Sequence, residues 1–304
     1  MRLIYSALVF ILLLSGCSSK EKNEAQQKLK IVTTTGMIRD AVLNIAGDKA
    51  EVTALMGPGV DPHLYKATQG DLKKLTEADI IFYNGLHLEG KMGEVLEKLG
   101  RTKPVVAIAS TIPPGRLREV EGFEGITDPH IWFDVSLWKE AVKAIHTFLV
   151  EFDAPDRPYY DSSSAVYLTR LDSLHAAVQK NILTLPEEQR VLITAHDAFG
   201  YFGAAYGIEV RGLQGISTVS EFGLRDVTDL VDFIIQRKIK AIFVETSVSE
   251  RSINAVLEGC RNKKWNVRIG GSLYSDAMGE EGTPEGTYIG MVHANVKTIK
   301  EALH

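Results

Sequence analysis

The chain has 304 residues, more than one compact core usually covers, so two domains are expected. Hydrophobic residues at 45% and charged residues at 24% are ordinary for a soluble globular protein. A net charge of -5 leaves no basic footprint and argues against nucleic acid as a partner.

At the N-terminus, Met1-Arg2-Leu3 supplies a positive start and residues 4–14 form an apolar run too short for a comfortable membrane span. The run ends in Leu14-Ser15-Gly16-Cys17, which resembles the bacterial lipobox. Residues 1–17 therefore read as a lipoprotein signal peptide, cleaved before Cys17 and followed by lipidation of its thiol. The weaker reading is an ordinary signal peptide with an incidental cysteine. Either reading exports the protein, and the first anchors it in the cell envelope, in the periplasm or on the outer face of the membrane. Residues 18–28 are polar and read as a flexible tether. With Cys17 lipidated, Cys260 has no disulfide partner and cannot build a thiolate metal site, so it is expected to be a packed or half-buried thiol.

From residue 29 strands and helices alternate. Residues 29–35 are β-branched and strand-like, and 36–46 carry Ile38, Val42 and Ile45 at helical spacing. A strand over 52–56 is broken by Gly57-Pro58-Gly59. Then come a helix (71–78), a strand (80–83), a helix (91–99), a strand (105–109) and a loop (112–127) rich in proline and glycine. Residues 136–150 are helical by spacing. The following segment opens on Asp156 as a plausible N-cap with Pro158 in the first turn. Tyr160, Tyr167, Leu168, Leu171, Leu174, Val178 and Ile182 then recur mostly at threes and fours until Pro186. One helix over 156–185 would be about 40 Å long. The second half repeats the alternation, with strands over 191–194, 209–213, 241–244 and 267–269. Its helices are expected over 201–206, 227–237, 253–263 and 290–303. The fold class is α/β: two strand-helix lobes with parallel-rich sheets, 29–155 and 186–304, joined by a long spine helix and leaving a cleft at the strand ends.

Ligands in open α/β folds sit beyond the carboxyl ends of strands, and four polar positions fall there: His63, His130, His196 and Asp276. Each has a plainer explanation. His63 suits an exposed loop, His130 a core histidine bonded to a carbonyl, and His196 and Asp276 a turn or cap. Together, three imidazoles and a carboxylate on one rim are the donor set of zinc and related metals. His146, His175, His293 and His304 fall in or at the end of helices, and His87 follows a strand without a matching motif. Glu245 ends a strand near the same rim and is a candidate orienting partner for a ligating histidine.

These motifs carry a resemblance. Gly59-Val60-Asp61-Pro62-His63-Leu64-Tyr65 is one of them, and Asp128-Pro129-His130-Ile131-Trp132 another. The third runs from Thr194-Ala195-His196-Asp197 through Phe202. With Leu213-Gln214-Gly215-Ile216-Ser217, Leu273-Tyr274-Ser275-Asp276-Ala277-Met278-Gly279 and the lipobox, the chain resembles the TroA/ZnuA-like solute-binding lipoproteins of zinc and manganese ABC transporters (cluster A-I, spine-helix type). The resemblance covers essentially the whole mature chain. It implies His63, His130, His196 and Asp276 as metal ligands in the interlobe cleft. It also implies Zn2+ or Mn2+ as the transported ligand, an ABC permease as partner, and a monomer on a lipid anchor. Zinc-dedicated members commonly carry a His-rich loop where this chain has none, and many manganese-specific members have Glu where this chain has His196. The metal therefore stays open between the two, although the order of divalent affinities favours zinc in vitro. A zinc-dependent hydrolase and a surface adhesin are the alternatives. The first is disfavoured because four protein donors fill a tetrahedral shell and no His-Glu-x-x-His run is present. A stiff spine predicts small rocking of the lobes rather than wide hinge opening.

Overall fold

The structure, a computed structural model, describes residues 28–120 and 125–304. Cys17, the signal peptide and the tether as far as residue 27 lie outside the described residues. In the first half, strands β1 (Leu29–Thr33), β2 (Ala50–Ala54), β3 (Ile80–Tyr83) and β4 (Val105–Ala107) form a parallel sheet in the order β2-β1-β3-β4. Its register pairs Leu29 with Ala50, Ile31 with Ile80 and Ile81 with Val105. Helices α1 (Gly36–Ala46), α2 (Gln69–Glu77) and α3 (Gly93–Gly100) are the crossovers, as parallel neighbours require. Thr68 and Asp71 start α2 with a reciprocal capping box.

Helix α4 (Val135–Phe152) leads into α5 (Arg157–Ile182), whose 26 residues span about 39 Å. Its buried positions, Tyr160, Ser164, Tyr167, Leu171, Leu174, Val178 and Ile182, form one stripe at threes and fours. Asp156 occupies the cap position of α5, and its carboxylate takes Lys49 Nζ at 2.8 Å.

The second half contains β5 (Val191–His196), α6 (Gly200–Tyr206), β6 (Glu209–Gln214), α7 (Leu224–Gln236), β7 (Ala241–Glu245), α8 (Arg251–Asn262), β8 (Arg268–Leu273) and α9 (Tyr288–Leu303). β5 pairs with β6 and β7 with β8, both in parallel. β5 and β7 pack side by side without a hydrogen-bonded ladder among the described residues. β8 runs four residues past its expected end because Gly270-Gly271, which reads as a breaker, continues the strand. A Cβ on Gly270 would lie 2.7 Å from Ala302 Cβ, and one on Gly271 2.5 Å from Thr298 Cγ2, so the glycines let the strand pass close under α9. The loop over 112–127 contains a short helical turn, Pro114–Arg116, and an isolated bridge between Glu119 and Thr127.

Among the described residues, three apolar clusters hold the fold. The largest is continuous across both halves: Ile38, Val42 and Trp138 from the first half join Tyr167, Leu171 and Val178 of α5 and Leu192, Phe243, Tyr288 and Val296 from the second. A second lies under α2 and α3, around Val32, Leu75, Ile81 and Leu96. The third lies under α7 and α8, where Ile193, Val244, Ile234, Val256 and the buried thiol of Cys260 meet. Full burial of each large aliphatic side chain contributes about 1.5–3 kcal/mol, so the shared cluster binds the two halves strongly.

Candidate metal centre

The four residues come from separate segments: His63 lies in the loop after β2, His130 stands just before the short helical turn Ile131–Phe133, His196 is the last residue of β5 and Asp276 follows β8. The structure brings the four together: one donor atom from each lies within 4.8 Å of all the others, and the residues are at most 3% exposed. His63 Nε2 is 3.3 Å from His130 Nε2, Asp276 Oδ1 is 3.4 Å from His130 Nε2, and Asp276 Oδ2 is 3.2 Å from His196 Nε2 and 4.0 Å from His63 Nε2. A tetrahedron with metal–donor bonds of about 2.0–2.1 Å has edges of roughly 3.3 Å, so these spacings suit a zinc-sized ion at the centre.

Three of the candidate ligands are each held by a neighbouring carboxylate. In Asp61-Pro62-His63, Asp61 Oδ1 accepts the His63 backbone N–H at 2.8 Å; in Asp128-Pro129-His130, Asp128 Oδ1 accepts the His130 N–H at 2.9 Å. Both are Asx turns, which the short aspartate side chain forms readily. Asp128 Oδ1 also accepts from His130 Nδ1 at 2.8 Å, so Nε2, which faces the site, is the nitrogen that can ligate once it gives up its proton. Glu245 does for His196 from a neighbouring strand what Asp128 does from two residues upstream. Its Oε1 accepts the His196 N–H at 2.9 Å, and its Oε2 lies 2.6 Å from Nδ1, at ion-pair distance without the alignment of a hydrogen bond. Carboxylates behind ligating imidazoles fix the tautomer and raise ligand basicity. Asn84 Nδ2 donates to the Pro129 carbonyl at 3.0 Å, and Tyr201 O–H to the Asp128 carbonyl at 3.0 Å, holding the second motif from both halves.

The electrostatics match a cation site. Burial pushes the His63 imidazolium down to about 3, so its ring is neutral and ready to donate a lone pair. Burial also opposes charge on His130, but the Asp128 and Asp276 carboxylates outweigh it and lift this group to about 9. Burial would raise Asp276, yet His196 and His130 hold its carboxyl well below the usual range. Both Asp276 oxygens are buried without an aligned hydrogen bond; in the metal-free site the His130 and His196 rings they face offset the charge, a role a bound cation would take over.

The remaining histidines lie elsewhere. His146 Nε2 is 2.7 Å from Asp161 Oδ1, and His175 Nδ1 is 3.1 Å from the Tyr206 hydroxyl. His87 sits on a left-handed turn at φ 64°, His293 lies within α9, and His304 follows it. Asp61 and Asp128 were not singled out in the sequence, although the doubled Asp-Pro-His signals them. Nothing in the sequence signals Asn84, and Tyr201 stands in the third motif without a sign of its partner, since both bonds form only in the fold.

Comparison with known proteins agrees with this picture. Residues 31–302 match the family model described as ZnuA, zinc-uptake complex component A, periplasmic. The chain is 51% identical over 292 residues to the manganese-binding lipoprotein MntA of Bacillus subtilis, covering 95% of each chain. It is 50% identical over 279 residues to the zinc-binding protein TroA of Treponema pallidum, covering 92% of this chain and 90% of that one. The solved structure of that periplasmic zinc-binding TroA superposes with a TM-score of 0.89, over 91% of this chain and 99% of the other. A chain matched over nearly all its described length, with this site at its strand ends, belongs to the ZnuA family of periplasmic zinc-uptake components.

Proposed function

We propose that this protein binds a divalent transition metal, zinc or manganese, outside the cytoplasm and hands it to the permease of an ABC transporter. The observation that carries this reading is the buried His63-His130-His196-Asp276 set, with both Asp276 oxygens unbonded and turned toward three imidazole nitrogens. The names of its relatives divide between the two metals, MntA for manganese and TroA for zinc.

The chemistry accommodates either ion. Zinc takes the three nitrogens and one Asp276 oxygen. A larger ion that prefers oxygen can use both. Nitrogen-rich donors favour zinc in affinity, so selection of manganese rests on geometry and availability. His63 and His130 come from the first half and His196 and Asp276 from the second, so a bound ion ties the halves together. A lipid on Cys17 tethers the carrier to the envelope, within reach of a permease. With four protein donors filling the shell, no position is left open for a catalytic water.

The test is titration of metal-stripped protein with zinc and with manganese, beside His196→Ala. One tight equivalent that the variant loses supports the reading. No tight binding of either ion overturns it.

A further inference from the structure

The four ligands are not held equally. His130 and His196 each have a carboxylate at Nδ1, whereas His63 Nδ1 has none among the described residues. His63 Nε2 is also the donor farthest from Asp276, at 4.0 Å against 3.4 and 3.2 Å for the other two imidazoles. The loop carrying His63 lies at the surface, where the next residue, Leu64, is 49% exposed. By contrast, the buried Trp132 fastens the opposite side of the site. Its indole N–H donates to the Ser275 carbonyl at 2.9 Å, joining the segment of His130 to that of Asp276, and Tyr288 O–H holds the Trp132 carbonyl at 2.7 Å. An ion leaving a closed site departs where the weakest-held ligand can move, which is the His63 side.

What holds that side comes from the other half. Asp61 uses Oδ1 for the His63 N–H at 2.8 Å, and its Oδ2 accepts from Thr218 Oγ1 at 2.6 Å. Thr218 lies in the partly exposed segment after β6, beside Val219, which is 50% exposed. One carboxylate therefore joins the backbone of a first-half ligand to a second-half hydroxyl at the molecular surface. A hydroxyl donating to a carboxylate is a stronger bond than one between neutral groups, and it exists only while the halves are together. We propose that Thr218 is the release latch of the metal site: its bond to Asp61 holds the His63 loop closed, and breaking it lets the ion out past His63. This rests on the metal-binding reading above and deepens it by naming a residue that sets residence time without touching the metal.

The test is a stopped-flow chase of zinc-loaded protein with excess chelator, for wild type, Thr218→Val, Thr218→Ser and Thr218→Ala. The valine keeps the shape and removes the donor, the serine keeps the donor, and alanine is a second donor-free variant should valine disturb the loop. Zinc is expected to leave both donor-free variants about tenfold faster, with the serine variant at the wild-type rate and association rates unchanged in all. Wild-type release rates in both donor-free variants overturn the latch while leaving metal binding intact. Equally fast release from the serine variant overturns the role of the hydroxyl. Failure of wild type to retain zinc overturns the latch together with the function beneath it.

Discussion

His196 is gripped twice by Glu245: the carboxylate accepts the histidine backbone N–H at 2.9 Å through Oε1 and lies 2.6 Å from ring Nδ1 through Oε2. β5 and β7 share no ladder among the described residues, so this side chain is a polar tie across the seam between them as well as an orienting group for the ligand. Glu245→Gln presents an amide N–H to Nδ1, which favours the tautomer with its proton on Nε2, the atom that faces the metal. Affinity is expected to fall by about 10–100-fold while the fold persists. Competition with a chromophoric chelator measures it.

Metal binding should expel protons at neutral pH. In the metal-free site, Asp128 and Asp276 outweigh burial and lift His130 to about 9, and Glu245 and Asp276 likewise raise His196. A raised histidine is protonated below its own pKa and must lose that proton to ligate, so affinity falls as the pH drops below about 9. His63, pushed down by burial to about 3, adds nothing to this dependence near neutrality. Calorimetric titration at pH 7 in buffers of different ionisation enthalpy should reveal at least one released proton per metal.

Asp71 anchors the segment that follows His63. Its carboxylate accepts from the Thr68 N–H at 2.9 Å, Thr68 Oγ1 at 2.6 Å and Tyr65 O–H at 2.7 Å. Burial would raise its pKa, but these bonds bring it down to about 2. A depressed carboxyl stabilises the fold above its unfolded value, about 4, and that contribution is lost as pH falls through the folded value. Asp71→Ala should cost about 2 kcal/mol at pH 7 in denaturant titration, with the difference from wild type shrinking between pH 4 and pH 2.

Asp40 joins the halves through α5 and α9. Its Oδ2 accepts from Tyr167 O–H on α5 at 3.1 Å and from the N–H of Tyr288, the first residue of α9, at 3.2 Å. Asp40→Leu leaves both donors buried and unpaired, and should lower stability by about 2–4 kcal/mol in thermal unfolding. Asp40→Asn keeps an acceptor and spares the cost of burying charge, which already raises the Asp40 pKa, so it should lose much less.

The sequence shows the residue types and their strand-end positions plainly, and the alternation of periods shows the α/β class. The spine stripe from Tyr160 to Ile182 is legible because one helix repeats its spacing for 26 residues. β8 was cut short because Gly270-Gly271 carries turn chemistry, and only the closeness of α9 explains why glycine belongs in a strand there. Asp156 has the residue type and position of a cap, yet a lysine 107 positions away binds its carboxylate. Asp61 and Asp128 hid behind their prolines, since an aspartate before proline reads as a turn former. The bonding role of Thr218 and that of Trp132, although Trp132 closes a quoted motif, lie beyond sequence reading, because their partners stand 157 and 143 positions away and only the fold brings them together.

The donor set also fixes how the site responds to oxidants. Thiolate sites lose their metal when sulfur climbs to sulfenic acid or disulfide. Three imidazoles and a carboxylate have no such ladder, and Cys260 is sealed in the apolar cluster under α7 and α8, apart from the ligands. Peroxide that would strip zinc from a cysteine site leaves this donor set chemically unchanged. The donors that would hold the ion therefore answer to proton concentration, and they lack the thiol chemistry through which an oxidant dismantles a cysteine site.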